Sequence, residues 1–286
     1  MYNTLNIVNL QKKYVTSEFC LRDVSFAIPK GSIMGFVGKN GAGKTTTINV
    51  ILNIIKKDSG TVKLFGKEML NDDVLMREKI GVVFDNSSFS PVLTPLQLSK
   101  IFSGIYSNWD EAYYFSLLEK FNVPQKRKIK MLSHGTEKKL SIAVALAHHP
   151  QLLILDEPTA GIDPITRGEI LDLLLRFVEN ENNTILLSSH ISSDLEKIAD
   201  YITFIYEGKI VLSEKKDVLL YEYGIVRCRE KDFLEIPSTD YITSGHSELQ
   251  INILVSNKDE FSKKHRNLVI DVPSIDEISK LILKGE

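Results

Sequence analysis

The sequence is short of several features that narrow a function at once. Its 286 residues include two cysteines, Cys20 and Cys228, and neither has a second cysteine or a histidine beside it at metal-ligand spacing. That excludes a disulfide framework and the usual zinc modules, and both thiols read as small buried hydrophobes in a reducing compartment. Neither sign of charge dominates: 35 Lys and Arg stand against 37 Asp and Glu, a net charge of −2. With a pI near 6.3 there is no electrostatic footprint for nucleic acid, which is not expected as a partner. No apolar run approaches the ~20 residues that span a bilayer. The first residues, Met1-Tyr2-Asn3-Thr4-Leu5, lack the basic and then apolar pattern of a secretion signal. The expectation is a cytosolic chain that serves a membrane, if at all, through a partner.

What is present is an ordinary globular composition and a regular alternation of elements. Leu5 to Leu10 and Leu21 to Ile28 alternate as strands, with Pro29-Lys30-Gly31 turning into the apolar run Ile33-Met34-Gly35-Phe36-Val37. Asp58-Ser59-Gly60 reads as a turn before a short strand, Thr61 to Phe65, and Lys79 to Phe84 as a buried strand. From Thr94-Pro95, an N-cap followed by proline, the pattern is helical to about Lys130, with a second start at Asn108-Trp109-Asp110-Glu111. Met131 to Ala147 is helical once past Gly135. Leu152 to Leu155 and Thr184 to Ser188 are apolar on both faces, as central parallel strands are, and Tyr201 to Leu212 reads as a hairpin. Strands alternating with helices predict a mostly parallel α/β core. A helical subdomain of about residues 90–147 interrupts it, and a smaller α+β region of 216–286 follows residues 1–215.

Two constellations carry chemistry. Gly38-Lys39-Asn40-Gly41-Ala42-Gly43-Lys44-Thr45 follows a strand and opens a helix, and it fits G-x-x-x-x-G-K-[ST], the phosphate-binding loop of P-loop NTPases. Glycines let successive backbone N–H groups curl around phosphate oxygens, and the next helix points its positive end at them. The candidate contacts are Gly38, Asn40, Gly41, Ala42, Gly43, Lys44, Thr45 and Thr46. Lys44 would reach the β- and γ-phosphates, and Thr45 would offer its hydroxyl to Mg²⁺. The second constellation, Leu152 to Glu157, ends an apolar strand in two carboxylates, where ligands of a parallel sheet sit. Asp156 there can hold Mg²⁺ through water, and Glu157 can take a proton from water attacking the γ-phosphate.

With both motifs in register, the chain resembles the nucleotide-binding subunit of an ATP-binding cassette (ABC) transporter from residue 1 to roughly 215. Leu132-Ser133-His134-Gly135-Thr136 stands where that family has its Leu-Ser-Gly-Gly-Gln signature, 23 residues (Ser133 to Asp156) before the metal carboxylate. By itself the segment is an unremarkable N-cap; the resemblance implies that Ser133 and Gly135 bind the γ-phosphate of ATP held by a second subunit. It likewise implies a dimer-crossing role for Asp163, a γ-phosphate switch for His190 and an adenine stack for Tyr14. Outside that register Tyr14 would be a packing residue and His190 a structural histidine. The expected cofactors are ATP and Mg²⁺. The expected partners are a second such ATPase subunit, foremost a second copy of this chain, and a separate transmembrane permease at the cytoplasmic face of the membrane.

Three positions depart from the family's pattern. Asp85 stands where the family has the glutamine that senses the metal, His134 replaces a signature glycine, and Thr136 replaces its glutamine. Asp85 can still offer an oxygen to Mg²⁺ or water. The tail, with strand-like 224–229 and 248–255 and an amphipathic helix over 273–283, is similar to that of single-cassette subunits of ABC-2-type exporters. Such subunits export drugs, lipids, polysaccharides or amphipathic peptides, and Asp85 makes the chain look most like those linked to antimicrobial- or toxin-peptide export. The expected function is an ATPase that drives an exporter; the alternative is a low-turnover regulatory member of an unequal pair. The apolar Leu96, Leu98, Ile101, Phe102 and Ile105 are either the surface for the membrane partner or the helical subdomain's own core.

Overall fold

The computed structural model of the chain describes residues 3–14, 18–70, 73–86, 89–246 and 250–283. The chain opens with strands β1 (Asn3–Lys13), β2 (Cys20–Pro29) and β3 (Ile33–Val37), then helix α1 (Lys44–Ile51) and strand β4 (Ser59–Leu64). Helix α2 (Val74–Arg77) leads to β5 (Ile80–Val83), and a helical segment follows with α3 (Pro95–Phe102), α4 (Glu111–Lys120) and α5 (His134–Leu146). Next come β6 (Leu152–Asp156), α6 (Pro164–Val178), β7 (Thr184–Ser188), α7 (Ser192–Ile198) and the hairpin β8 (Tyr201–Tyr206) and β9 (Lys209–Lys215). The tail carries α8 (Lys216–Tyr221), β10 (Gly224–Cys228), α9 (Glu230–Phe233), β11 (Thr243–His246), β12 (Ile251–Val255), α10 (Lys258–Lys264), β13 (Ile270–Asp271) and α11 (Ile275–Leu283).

The central sheet has the order β5-β6-β7-β3-β8-β9, parallel except for the edge strand β9. Every residue of β3, β6 and β7 is buried, because helices or a second sheet cover both faces. Alternation sorts their side chains. Ile33, Leu153, Leu155 and Leu187 join a core with α4, α5 and α6, while Met34, Phe36, Leu152, Ile154 and Leu186 join one with α1 and the antiparallel sheet β2-β1-β4. This order sets β6, β7 and β3 side by side, so the loops after their carboxyl ends open into one crevice.

Local differences from the sequence reading have physical causes. Residues 58–60 do not form a free turn: β4 starts at Ser59, and Gly60, with φ +85°, passes so close to β1 that a Cβ would lie 2.3 Å from the Asn9 carbonyl oxygen. The helical pattern after Thr94 breaks at Phe102. It restarts where the Asp110 carboxylate accepts from the Tyr113 amide at 2.8 Å. α5 begins one residue before Gly135, since Ser133 caps it by accepting from the Thr136 amide at 3.3 Å. Cys228 is buried, but Cys20 is only partly so, and its sulfur accepts from Arg22 Nε at 2.9 Å.

The tail forms a four-stranded antiparallel sheet, β11-β12-β10-β13, with a small core of its own around Val226, Ile253 and Phe261. Of the strand expected over 248–255, residues 248 and 249 lie outside the described residues. α11 turns back onto α7 and β8, and its Ile275, Ile278, Leu281 and Leu283 enter the main core. Among the described residues no helix is long and apolar enough to cross a membrane.

Candidate active site

The loop after β3 curls through Gly41 and Gly43, and Gly43, at φ +115°, is the residue from which α1 starts. That conformation suits glycine alone and aims the first amides of α1 into the crevice. Lys44 is 6% exposed and turns back over the loop, where Nζ donates to the Gly38 carbonyl at 2.7 Å. Nζ also lies 3.3 Å from Glu157 Oε1. Next to it, Thr45 Oγ1 donates to Asp156 Oδ2 at 2.7 Å, and Ser188 Oγ donates to Asp156 Oδ1. The parallel pairing of Asp156 with Ser188 across β6 and β7 makes that second bond available.

Glu157 leaves the strand in a left-handed conformation, φ +50°, which is unusual for a residue with a Cβ. Its amide donates to the Ser188 carbonyl at 3.1 Å, and its Oε2 lies 2.8 Å from His190 Nδ1 and 3.3 Å from the His190 amide. Oε1 is buried without a hydrogen-bond partner; Lys44 faces it as a counter-ion, outside hydrogen-bond geometry. A buried carboxylate oxygen with spare acceptor capacity is placed to take a hydrogen bond from water or substrate.

A cleft of about 440 Å³ is lined by Gly43, Lys44, Thr45, Asp85, Asp156 and Glu157, with Asn40, Gly41 and Thr46 also on its walls. A second opening of about 520 Å³ runs on from Asn40, Gly41 and Ala42 to Phe19, Arg22 and Tyr206. Tyr14 lines neither; it follows β1 directly, with Lys12 Nζ 5.9 Å from its ring centroid, and the aromatic ring on both walls is Phe19. Phe19 was not singled out from the sequence, since the family register points to residue 14.

Ser133, Gly135 and Asp163 line neither opening, and the structure gathers them elsewhere. His134 Nε2 lies 3.3 Å from the Ala160 carbonyl, and Gly135 packs beside Ile162. Asp163 caps α6, accepting from the amides of Ile165 and Thr166 at 3.1 and 2.9 Å. The Thr166 bonds, backbone first, hold its carboxyl below the usual aspartate range. His190 lines neither opening and meets the cleft only through its contact with Glu157 Oε2. No three His, Cys, Asp or Glu side chains converge as a metal cage among the described residues. The paired oxygens of Thr45 and Asp156 suit a hard divalent cation that takes its other ligands from phosphate and water.

A glycine loop that opens a helix, a buried lysine over it and two carboxylates at the next strand but one define a P-loop nucleoside-triphosphate hydrolase. A family described as ABC transporter matches residues 21–160. The chain is 37% identical over 215 residues to the lantibiotic transport ATP-binding protein SrtF of Streptococcus pyogenes, covering 74% of this chain and 91% of that one. It is 34% identical to the bacitracin transport ATP-binding protein BcrA of Bacillus licheniformis, over 74% of this chain and 69% of the relative. Among solved structures, a dimeric post-hydrolysis state of the ATP-binding cassette MJ0796 bound to ADP and Pi superposes with a TM-score of 0.67. It has 25% identity and covers 74% of this chain and 98% of that one. The chain belongs to the ABC transporter family, as an ATP-binding subunit, and is an ATPase.

Proposed function

We propose that the chain drives export of an amphipathic antimicrobial peptide or drug through a separate transmembrane subunit, as one of two identical ATPase subunits that close around ATP. The observation that carries this is the convergence of Lys44, Thr45, Asp156 and Glu157 on one cleft, with His190 against Glu157 Oε2 and Glu157 Oε1 without a hydrogen-bond partner. On binding, the triphosphate displaces Lys44 from the Gly38 carbonyl, and the ammonium moves to the β- and γ-phosphates. Thr45 and Asp156 would hold Mg²⁺, which neutralises charge on the phosphates, with Asp85 on the same wall. Glu157 accepts the proton of the attacking water, while His190, held by Oε2, donates to the γ-phosphate. Adenine stacking by Tyr14 requires its ring to swing in from the end of β1.

The cap of α5, with Ser133 and Gly135, meets the γ-phosphate bound by the partner copy, because on its own subunit it lies outside the cleft. Asp163 then sits at the seam. Ile101 and Ile105 are exposed and offer apolar contacts to the permease, whereas Leu98 is buried in the segment's core. On this reading the chain works at the cytoplasmic face of the membrane, docked on the permease. Relatives named for lantibiotic and bacitracin transport support the cargo class. The low-turnover alternative is not favoured, as both the proton acceptor and the phosphate lysine are in place.

Lys44→Ala tests the site: nucleotide affinity and phosphate release should both fall at least about 10-fold, the loss of a charge-assisted contact worth ~1.5–3 kcal/mol. Parent-like affinity and turnover would refute it. For the cargo, cells lacking the chain should become more sensitive to amphipathic cationic peptides, and unchanged sensitivity across such peptides would reject that class.

A further inference from the structure

Lys138 lies in the second turn of α5 and is 3% exposed, on the helix face that also carries the buried Ile142 and Ala145. A lysine there carries a desolvation cost of several kcal/mol unless its charge is matched. Its ammonium is matched closely. Nζ donates to the carbonyls of Phe84 at 3.2 Å, Asp85 and Glu157 at 3.4 Å, and lies 3.3 Å from Asp85 Oδ1. Asp85 is the only carboxylate within ion-pair distance of it among the described residues. The four acceptors belong to the loop after β5 and to the peptide that follows β6.

We infer that Lys138 is a positioning residue of the ATPase: its buried ammonium ties the loop carrying Asp85 and the left-handed peptide of Glu157 to the helix capped by Ser133. The inference rests on the reading of Glu157 as the proton acceptor. A left-handed Glu costs on the order of 1–3 kcal/mol and persists only where its surroundings over-determine it. The Ser188 contacts fix the amide side of that residue, and Lys138 fixes the carbonyl side. The same ammonium neutralises Asp85, so the aspartate and the lysine form one unit: the loop carboxylate stays near the cleft because a buried cation holds it there. A shift of α5 is thereby transmitted to both carboxylates at once.

The test uses the full chain and the variants Lys138→Met, Lys138→Gln, Asp85→Asn and the double Asp85→Asn with Lys138→Met. Phosphate release and the affinity for a fluorescent ATP analogue are measured for each. Displacing reacting groups by ~1 Å can cost about 10²-fold, so Lys138→Met should lower kcat about 10- to 100-fold while affinity stays within about threefold. Lys138→Gln, which still donates to two carbonyls, should fall between. The double variant should be no slower than the worse single one, since the two residues act together. Amide exchange in the peptide covering residues 80–86 should rise in Lys138→Met whatever the turnover. Unchanged exchange there, a parent-like kcat, losses that multiply in the double variant, or affinity falling in step with kcat would each overturn the inference. Failure of the parent chain to hydrolyse ATP would instead count against the reading of Glu157, with the exchange result still deciding the role of Lys138.

Discussion

Replacing Glu157 by glutamine removes one charge from the cleft and almost no volume. That charge faces Lys44 Nζ at 3.3 Å and His190 Nδ1 at 2.8 Å, with the carboxylate 11% exposed. Removing one member of a fully buried pair costs ~3–5 kcal/mol. Here Lys44 keeps the Gly38 carbonyl at 2.7 Å and opens onto a cleft, so a charged hydrogen bond, about 1.5–3 kcal/mol, is the better measure. The nucleotide-free variant should therefore unfold more easily by that amount. Turnover should fall far more: a positioned base is worth roughly 10²–10⁴-fold, or about 2.7–5.5 kcal/mol at 1.36 kcal/mol per tenfold. ATP affinity should hold or rise, because a carboxylate no longer faces the terminal phosphate, and bound ATP should offset part of the lost stability. Phosphate release, equilibrium nucleotide binding, and thermal unfolding with and without ATP measure the three effects. Turnover within threefold of the parent would remove Glu157 from the chemistry. A joint loss of affinity and turnover would mean that it holds the cleft's shape instead.

Two further outcomes follow from the geometry. The Asp163 carboxyl titrates below its ordinary value of 3.8, so its capping of α6 is complete above that pH and lost as the pH falls through the lowered value. Asp163→Asn should flatten the acid limb of stability measured by unfolding between about pH 2 and 5, and an unchanged limb would contradict this. Tyr114 is fully buried and its hydroxyl donates to the Pro95 carbonyl at 3.0 Å, tying α4 to the start of α3. Tyr114→Phe leaves that carbonyl unpaired and should cost about 1–3 kcal/mol in denaturant unfolding with turnover near the parent's; no loss of stability would show the bond to be replaceable.

Much of the site could be read from the sequence because its parts are local. The phosphate loop needs its glycines at fixed spacing, and Asp156-Glu157 closes a run buried on both faces, so each carries its own signal. Their meeting depends on β6, β7 and β3 being neighbours, which no single segment states. Lys138 was missed for that reason: on α5 it is one more lysine among Glu137, Lys138 and Lys139, and only the approach of the loop after β5 shows its ammonium to be buried. Phe19 was missed because aromatic spacing says nothing about which ring faces the opening. Gly60 read as a turn, since a glycine squeezed against a neighbouring strand looks the same in sequence as one that bends the chain.

The way the tail ends has a bearing on how the protein can be cut. The helix that begins two residues after His190 is gripped from outside by the last helix of the chain: the Ile275 amide donates to Glu196 Oε1 at 2.7 Å, and Ile278 and Leu281 close over the same apolar wall. A version trimmed after the hairpin at residue 215 would lay bare several aliphatic side chains, each worth ~1.5–3 kcal/mol when covered. It would also free the support on which the histidine's segment rests. Such a trimmed protein should be sticky and slow even though every phosphate-contacting residue is still in it.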